Sequence, residues 1–439
     1  MQYRSTNDRS PIVSFREAMR RGLAPDGGLY IPTDVPRIDP GEFAAWRELA
    51  FPALASRIAA RWLEREFPAE TLSRLVADAL SFPVPLRPLP GGLFLLELFH
   101  GPTLAFKDFG ARVLARLFGA DARDRGTSAT ILVATSGDTG SAVARGFAGI
   151  AGTRVVVLYP AGRVSAFQEA QIATVGGNVV AVRVPGTFDD CQRLAKAALV
   201  DPDFREWHLS SANSINIGRL LPQMTYYVSS RLGVPAGAGA RVAFAVPSGN
   251  LGNLTAGVMA ARMGMPESTF IAASNVNDVL PEYLSTGTFR PRPAVATISN
   301  AMDVGAPSNF ARLADLYGSS VERMRGDIRA ERVSEEETRA AIRQAHAEAG
   351  VVLDPHTAVA WAAARRYRAQ AGGTEPIIVL ATAHPAKFPE VIEAELGFEP
   401  ELPAAERDWR SRVVRVIDLP GTSPAVFRHF LEELGPLAS

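Results

Sequence analysis

The chain has 439 residues, 47% hydrophobic and 21% charged, and its 46 basic residues balance 46 acidic ones. Such values are typical of a globular protein of two or three domains with a large core, and zero net charge without a basic run argues against nucleic acid as a partner. One cysteine, six scattered histidines and no membrane-length or signal-like apolar segment predict a cytoplasmic protein without disulfide, metal site or membrane partner.

The first 90 residues have mainly helical periodicity and are predicted to form an N-terminal domain. Apolar residues recur at helical spacing over 43–63, and a second helical pattern over 68–80 begins with Pro68 and Glu70, which suit a helix start. The segment "SFPVPLRPLPGG" at 81–92 is rich in proline and glycine, so we expect a boundary there.

After this boundary, short apolar runs alternate with helical segments. There are seven such runs, most of which end in small or polar residues, and they are "LFLLELF", "ATILVATSGDTG", "TRVVVLYPAG", "NVVAVRVPG", "RVAFAVPSGN", "FIAASN" and "PIIVLATAHP". Alternating strands and helices predict an α/β fold with mostly parallel sheets covered on both faces. Seven strands over this length indicate two such sheets, followed by a C-terminal tail over 401–439 with a helix in "SPAVFRHFLEELG".

Two of the predicted strand ends carry residues that suit anion binding. The first, "VATSGDTGSA", places Thr135, Ser136, Asp138 and Thr139 between a strand and a helix. Ligands of open parallel sheets bind at such ends, where helix N–H groups favour anions. The alternative is an ordinary capped turn, for which these residue types are also preferred.

The second strand end, "VPSGNLGNLTAG", is predicted to cradle a small phosphate or to be a structural glycine turn. Its turn residues are Gly249, Asn250, Leu251, Gly252 and Asn253. It is neither a P-loop nor a G-x-G-x-x-G fingerprint.

A third segment, "SANSINIGRL" at 211–220, adds Asn213, Ser214 and Arg219 around a predicted helix start. The forked guanidinium of Arg219 suits an anion, but a capped helix with a solvated arginine is the simpler interpretation of this segment alone.

Lysine is rare in this chain, since only Lys107, Lys196 and Lys387 occur among 46 basic residues. Arginine serves equally well as a solvated charge, but it cannot replace an amine that must lose its proton and attack a carbonyl. An unusual lysine together with two turns that suit anion binding suggests a nucleophilic amine and a phosphate-bearing cofactor, such as pyridoxal phosphate.

Seven motifs in order closely resemble the threonine synthase family of bacteria and fungi. They are "ELFHGPTLAFKDFGARVLA", "ATSGDTGSAVA", "SSANSINIGRLL", "VPSGNLGNLTAG", "SNVNDVLP", "SNAMDVGAPSN" and "TAHPAKFPE". The N-terminal "SFREAMRRGLAPDGGLYIP" also resembles the opening segment of this family, so the resemblance covers about 14–395.

This resemblance implies a fold-type-II pyridoxal-phosphate enzyme with the cofactor between two open α/β domains. The catalytic region would span 91–400, with a smaller subdomain at about 110–220 and a larger one from the remainder. The family converts O-phospho-L-homoserine and water to L-threonine and phosphate. Monomer and homodimer both remain open.

The resemblance also implies a role for each matching residue. Lys107 would bind the cofactor aldehyde covalently, Thr382 would hydrogen-bond the pyridine nitrogen, and Asp138 would face the ring and its 3′-oxygen. The turn from Gly249 to Asn253 would hold the cofactor phosphate. The substrate carboxylate would bind Thr135, Ser136 and Thr139, and the substrate phosphate would bind Asn213, Ser214 and Arg219.

One departure from the family pattern is visible, because many members carry Phe at 251 and Asp at 253. Backbone N–H groups supply the main phosphate contacts, so binding should survive this change. The nearest alternative is a threonine or serine dehydratase, whose substrate has no phosphate. A silent homologue would lack Lys107, and a nucleotide-binding dehydrogenase would carry G-x-G-x-x-G. The role of Lys387 and that of the last forty residues stay open.

Overall fold

The N-terminal region combines four helices with a small antiparallel sheet, in a computed structural model that describes residues 1–235 and 241–437. Its elements are β1 (Gln2–Ser5), β2 (Val13–Ser14), α1 (Phe15–Arg21), β3 (Tyr30–Pro32), α2 (Pro40–Ala45), α3 (Phe51–Leu63) and α4 (Ala69–Ala79), with the strands in the order β2-β1-β3. The helical pattern over 43–63 is divided because Pro52 lies in the first turn of α3, where its missing N–H needs no partner.

Strands and helices alternate through the remainder of the chain. The strands are β4 (Leu86–Leu89), β5 (Leu93–Glu97), β6 (Ala129–Ala134), β7 (Thr153–Pro160), β8 (Val179–Val184), β9 (Leu209–Ser211), β10 (Val242–Pro247), β11 (Ser268–Ser274), β12 (Ile328–Arg332), β13 (Ile377–Ala381) and β14 (Ile417–Asp418). The helices are α5 (Lys107–Arg125), α6 (Asp138–Phe147), α7 (Ala166–Ala173), α8 (Phe188–Val200), α9 (Met224–Gly233), α10 (Gly252–Arg262), α11 (Val279–Thr286), α12 (Phe310–Leu316), α13 (Val321–Asp327), α14 (Glu335–Ala349), α15 (Pro355–Ala371), α16 (Pro389–Leu396) and α17 (Pro424–Leu434).

These strands form two sheets, which confirms the predicted α/β fold. One sheet has the order β12-β11-β10-β13-β5-β4, and all of its neighbours are parallel except β4 and β5. The other has the order β14-β8-β7-β6-β9 and is parallel throughout. Within the described residues, no helix is long and apolar enough to cross a membrane.

Strand β6 shows why the central strands are continuous apolar runs. Ile131 and Val133 pack into the core cluster that includes α5 and α6, whereas Leu132 and Ala134 pack into the cluster that includes α8 and α17. Both faces of the sheet are therefore buried under helices, as parallel sheets require.

The C-terminal segment completes the five-stranded sheet. In β14, Ile417 pairs with Val182 of β8, and Phe427 and Leu431 of α17 are buried in the same core cluster as α8. Arg154 of β7 donates to the Gly435 carbonyl (2.5 Å). The segment from Ile417 to Gly435 is thus an integral part of this half of the molecule.

Candidate active site

Three strand ends from the two sheets meet at one cavity. Strand β6 ends at Ala134, and strands β10 and β13 of the other sheet end at Pro247 and Ala381. The carboxyl ends of parallel strands are where open sheets bind their ligands. All the predicted site residues line this cavity, namely Lys107, Thr135, Ser136, Asp138, Thr139, Asn213, Ser214, Arg219, Gly249, Asn250, Leu251, Gly252, Asn253 and Thr382.

Lys107 is the first residue of α5, and backbone pairing places it beside the end of β13. The Phe106 N–H donates to the Thr382 carbonyl (2.9 Å), and the His384 N–H donates to the Leu104 carbonyl (3.0 Å). These two bonds bring Lys107 and Thr382 to the same wall of the cavity, although the two residues are distant in the chain.

The Lys107 amine lies in an environment that favours its neutral form. Burial lowers its pKa, the positive charges of Lys387 and Arg219 act in the same direction, and the carboxylate of Asp138 acts against them. The Nζ atom lies 4.0 Å from Asp138 Oδ2, at the outer limit of an ion pair. A neutral amine is the form that attacks a carbonyl.

Asp138 has a closer cation than Lys107, which is Lys387. The Lys387 Nζ donates to Asp138 Oδ1 (2.8 Å) and to the Thr103 carbonyl (2.7 Å), and this lysine is completely buried. Gln168 Nε2 also donates to Asp138 Oδ1 (3.0 Å). Burial alone would raise the pKa of Asp138, but the charges of Lys387 and Lys107 outweigh it and lower that pKa.

The loop between β6 and α6 presents hydroxyl groups to the cavity. The Thr135 hydroxyl oxygen accepts from the N–H groups of Gly137 (2.9 Å) and Gly140 (2.8 Å), so its proton remains available to a ligand. The hydroxyls of Ser136 and Thr139 have no hydrogen-bond partner in the described part of the chain. The start of α6 therefore offers several donors to an anion.

The loop between β10 and α10 is shaped by close backbone contacts. A Cβ on Gly249 would lie 2.7 Å from the Met302 Cα, so only glycine fits there without a shift of the backbone. Leu251 adopts a left-handed conformation (φ 61°), which costs a non-glycine residue about 1–2 kcal/mol. This tight turn leads directly into the N-terminus of α10, where unpaired N–H groups favour an anion.

Asn253 contributes a buried donor to the same turn. Its Oδ1 accepts from the hydroxyls of Tyr226 (2.6 Å) and Tyr227 (2.8 Å), while its Nδ2 is buried and has no partner among the described residues. An unpaired buried donor is costly, and a ligand acceptor in the cavity would satisfy it.

The segment after β9 adds Asn213, Ser214 and Arg219 to the lining of the cavity. Most of the hydrogen-bonding capacity of the Asn213 side chain is taken up by the backbone of β6. This side chain accepts from the Ala134 N–H (3.1 Å) and donates to the Ala134 carbonyl (2.7 Å). Ser214 Oγ accepts from Asn250 Nδ2 (2.8 Å) and Asn309 Nδ2 (3.1 Å), so its hydroxyl proton is free for a ligand.

Arg219 is buried without a carboxylate partner in the described residues. One Nη donates to the Ala212 carbonyl, and Nε has no partner. Burial lowers its pKa to about 10, so the guanidinium is still charged at neutral pH. Its charge makes this wall of the cavity a site for an anion.

Further polar side chains around the cavity were not predicted from the sequence. Gln168 contacts Asp138, as described above, and His356 lines the wall near Thr382. His356 Nε2 accepts from the Ala301 N–H (3.1 Å), so its Nδ1 carries the proton and donates to Asp354 (2.8 Å). Gln168 and His356 are each a single polar residue within a helix. Because neither follows a glycine turn, the sequence does not indicate that they are site residues.

Comparisons with known proteins cover almost the entire chain. The model of the pyridoxal-phosphate dependent enzyme family matches residues 80–383, that of the threonine synthase N terminus matches 2–80, and that of the threonine synthase C-terminal region matches 357–430. A threonine synthase of Serratia marcescens is 43% identical over 92% of this chain and 93% of its own length.

Solved structures show the same similarity. The threonine synthase of Escherichia coli aligns with a TM-score of 0.92 and 38% identity, over 99% of this chain and 100% of that one. The pyridoxal-phosphate-bound threonine synthase of Brucella melitensis aligns with a TM-score of 0.90 and 37% identity, over 98% of both chains.

The cavity fits pyridoxal phosphate. Lys107 provides an amine that suits the aldehyde of this cofactor. The turn at Gly249, where a Cβ would collide with the backbone, and the unpaired Nδ2 of Asn253 suit its phosphate. Thr382 and Asp138 add a hydroxyl and a carboxylate to the same cavity.

Proposed function

This chain belongs to the threonine synthase family, and we propose that its cavity binds O-phospho-L-homoserine and, with water, converts it to L-threonine and phosphate. The observation that carries the proposal is Arg219, a charged and buried side chain on the cavity wall with no carboxylate partner in the described residues. A buried charge without a partner is costly, and a dianionic substrate group would offset that cost.

The substrate phosphate is assigned to Arg219 and its neighbours. The Ser214 hydroxyl retains a free proton because its oxygen already accepts from two asparagine amides. Asn213 has one amide hydrogen left after its contacts with Ala134. Because phosphate is the leaving group, charge grows on it during the reaction, and Arg219 should stabilise the transition state more than the bound substrate.

The substrate carboxylate is assigned to the loop before α6. The hydroxyls of Ser136 and Thr139 have no partner in the described chain, and the Thr135 hydroxyl can still donate. The positive end of the α6 dipole supports an anion at this position. The two anionic groups of the substrate would thus be bound by two different segments of the chain, in a cavity that Lys107 also lines.

Lys107 is assigned the proton transfers. Bound pyridoxal phosphate accepts the electron pair that remains when a proton leaves the substrate Cα. The free Lys107 amine would take that proton and later return one to Cα. The hydroxyl of Thr382 is neutral and cannot fix a full positive charge at the ring nitrogen, which favours elimination and replacement over transamination.

A dehydratase of the same fold is the alternative, and Arg219 distinguishes the two functions. Removing one side of a buried charged pair costs about 2–5 kcal/mol, or roughly 30- to several-thousand-fold in kcat/KM. Arg219→Ala should show this loss with O-phospho-L-homoserine, while any side activity on serine or threonine should be nearly unchanged. The matched control is Arg241→Ala, since Arg241 is exposed and does not line the cavity. An equal fall of both activities would remove Arg219 from the phosphate site.

We also propose a cytoplasmic location for this enzyme. The support is compositional, because the only cysteine of the chain, Cys191, is buried and unpaired, and disulfides are rare in that compartment.

A further inference from the structure

Lys387 is the second lysine of the active site, and the reaction described above does not use it. It lies on a short turn after β13, is completely buried, and is held by the Thr103 carbonyl and by Asp138 Oδ1. Thr103 is itself fixed by Asp108, which accepts from its N–H (2.9 Å) and its hydroxyl (2.8 Å). The ammonium group of Lys387 therefore has a defined position.

The Asp138 carboxylate is shared unequally between two lysines. Its Oδ1 lies 2.8 Å from the Lys387 Nζ, whereas its Oδ2 lies 4.0 Å from the Lys107 Nζ. Gln168 adds a third contact to Oδ1 (3.0 Å). Asp138 thus makes its short ion pair with Lys387, and the Lys107 amine lies at the outer limit of ion-pair distance from it.

We propose that Lys387 is a positioning residue: by pairing closely with Asp138, it weakens the hold of that carboxylate on the Lys107 amine and so favours the nucleophilic form of this amine. The inference deepens the proposed function and rests on it only for the use of Lys107. In the step concerned, the Lys107 nitrogen forms a C=N bond with the cofactor aldehyde carbon. The aldehyde oxygen leaves as water and takes both amine hydrogens.

Other ionisable groups lie near Lys107 and Asp138 on the surrounding elements. Arg219 approaches from the segment after β9, Asp354 and His356 from the start of α15, and Asp108 from α5 itself. All of them remain when Lys387 is replaced by a neutral residue. Asp138 would then have Lys107 as its nearest cation, and the attraction between them would stabilise the protonated amine.

The test follows the attachment of pyridoxal phosphate to cofactor-free protein, and it involves no substrate. The attachment rate is measured by absorbance and by borohydride trapping between about pH 6 and pH 10, a range that spans the ordinary and lowered pKa of a lysine. Lys387→Met should move the midpoint of the pH profile upward by about one unit or more, equivalent to roughly tenfold slower attachment at pH 7. Lys196→Met, at the third and exposed lysine, should leave the midpoint unchanged.

Two further variants keep the test decisive if Lys387→Met does not fold. Asp138→Asn should move the midpoint downward, because Lys107 then faces mainly positive charges, and Lys387→Met/Asp138→Asn should return it toward the original value. A purely structural role for Lys387 would lower the amount of folded protein without moving the midpoint. An unchanged midpoint in Lys387→Met, or in Asp138→Asn, would overturn the proposal while leaving the assignment of the substrate untouched.

Discussion

At the scale of single residues, the cavity uses lysine and arginine for different chemistry. Lys107 supplies an amine that can lose its proton, whereas Arg219 supplies a charge that persists even when burial lowers its pKa to about 10. The rarity of lysine singles out Lys107 in the sequence, and the family resemblance supplies its expected role. The contacts of Lys387 could not be predicted, because Thr103 and Asp138 meet it only in the folded molecule.

Thr382 provides a prediction that separates catalysis from cofactor binding. Thr382→Val keeps the backbone bonds to Thr357 and Phe106 but removes the hydroxyl. One hydrogen bond contributes about 0.5–1.5 kcal/mol, so the affinity for pyridoxal phosphate should fall by no more than roughly tenfold. The value of kcat should fall further. Thr382→Ser, which retains the hydroxyl, is the control; loss of the cofactor by a folded Thr382→Val protein would contradict the assignment.

Gly249 provides a prediction about the phosphate turn. In Gly249→Ala the new Cβ would lie 2.7 Å from the Met302 Cα, and overpacking of this kind costs about 1–3 kcal/mol. We expect weaker binding of pyridoxal phosphate and a lower free energy of unfolding, measured by cofactor titration and chemical denaturation. Gly326→Ala is the matched control, because no atom lies within 4 Å of that Cβ. Equal behaviour of the two variants would show that the turn tolerates a side chain.

At the scale of elements, the central strands could be predicted and the edge strands could not. The strands β4, β12, β9 and β14 lie at the four edges of the two large sheets, and none of them was among the seven predicted runs. Central strands are buried on both faces and therefore read as continuous apolar runs, whereas edge strands are short and partly polar. Strand β4 even contains Pro88, which an edge strand tolerates.

The segment before α9 shows that the backbone form at the start of a helix was also not predicted from the sequence. The predicted helix start over 211–220 is a pair of 3₁₀ turns, Ile217–Arg219 and Leu221–Gln223, that precede α9. Pro222 fits the first turn of the second segment because it needs no N–H partner there. Local patterns therefore located the polar residues of this segment but not the form of its backbone.

Helix α17 gives a prediction for an element distant from the chemistry. Leu431 is completely buried against the five-stranded sheet, and no residue of α17 lines the cavity. Leu431→Ala should lower the free energy of unfolding by about 2–5 kcal/mol without changing kcat at a temperature where the protein is folded. Denaturant titration and a kinetic assay measure the two quantities. Glu433→Ala, at an exposed position of the same helix, should change neither, and a lower kcat in folded Leu431→Ala would link the tail to catalysis.

At the scale of the whole molecule, the wall of the cavity is tied to the N-terminal region of the chain. Arg312 is fully buried and donates to the carbonyls of Tyr30 (2.9 Å), Ser214 (2.8 Å) and Ile215 (2.5 Å). It thereby joins the N-terminal region to the wall that holds Arg219. Nothing in the local sequence marks Arg312 among so many arginines, because its importance comes from partners that are distant in the chain.

The most direct test of the central claim is a product assay of the unmodified protein with O-phospho-L-homoserine and pyridoxal phosphate. Phosphate and L-threonine should appear in equal amounts, and Lys107→Ala should form neither while remaining folded. Borohydride reduction should leave the cofactor attached to Lys107 of the unmodified protein. Release of phosphate without L-threonine, no turnover of O-phospho-L-homoserine, or attachment at Lys196 or Lys387 would contradict the account.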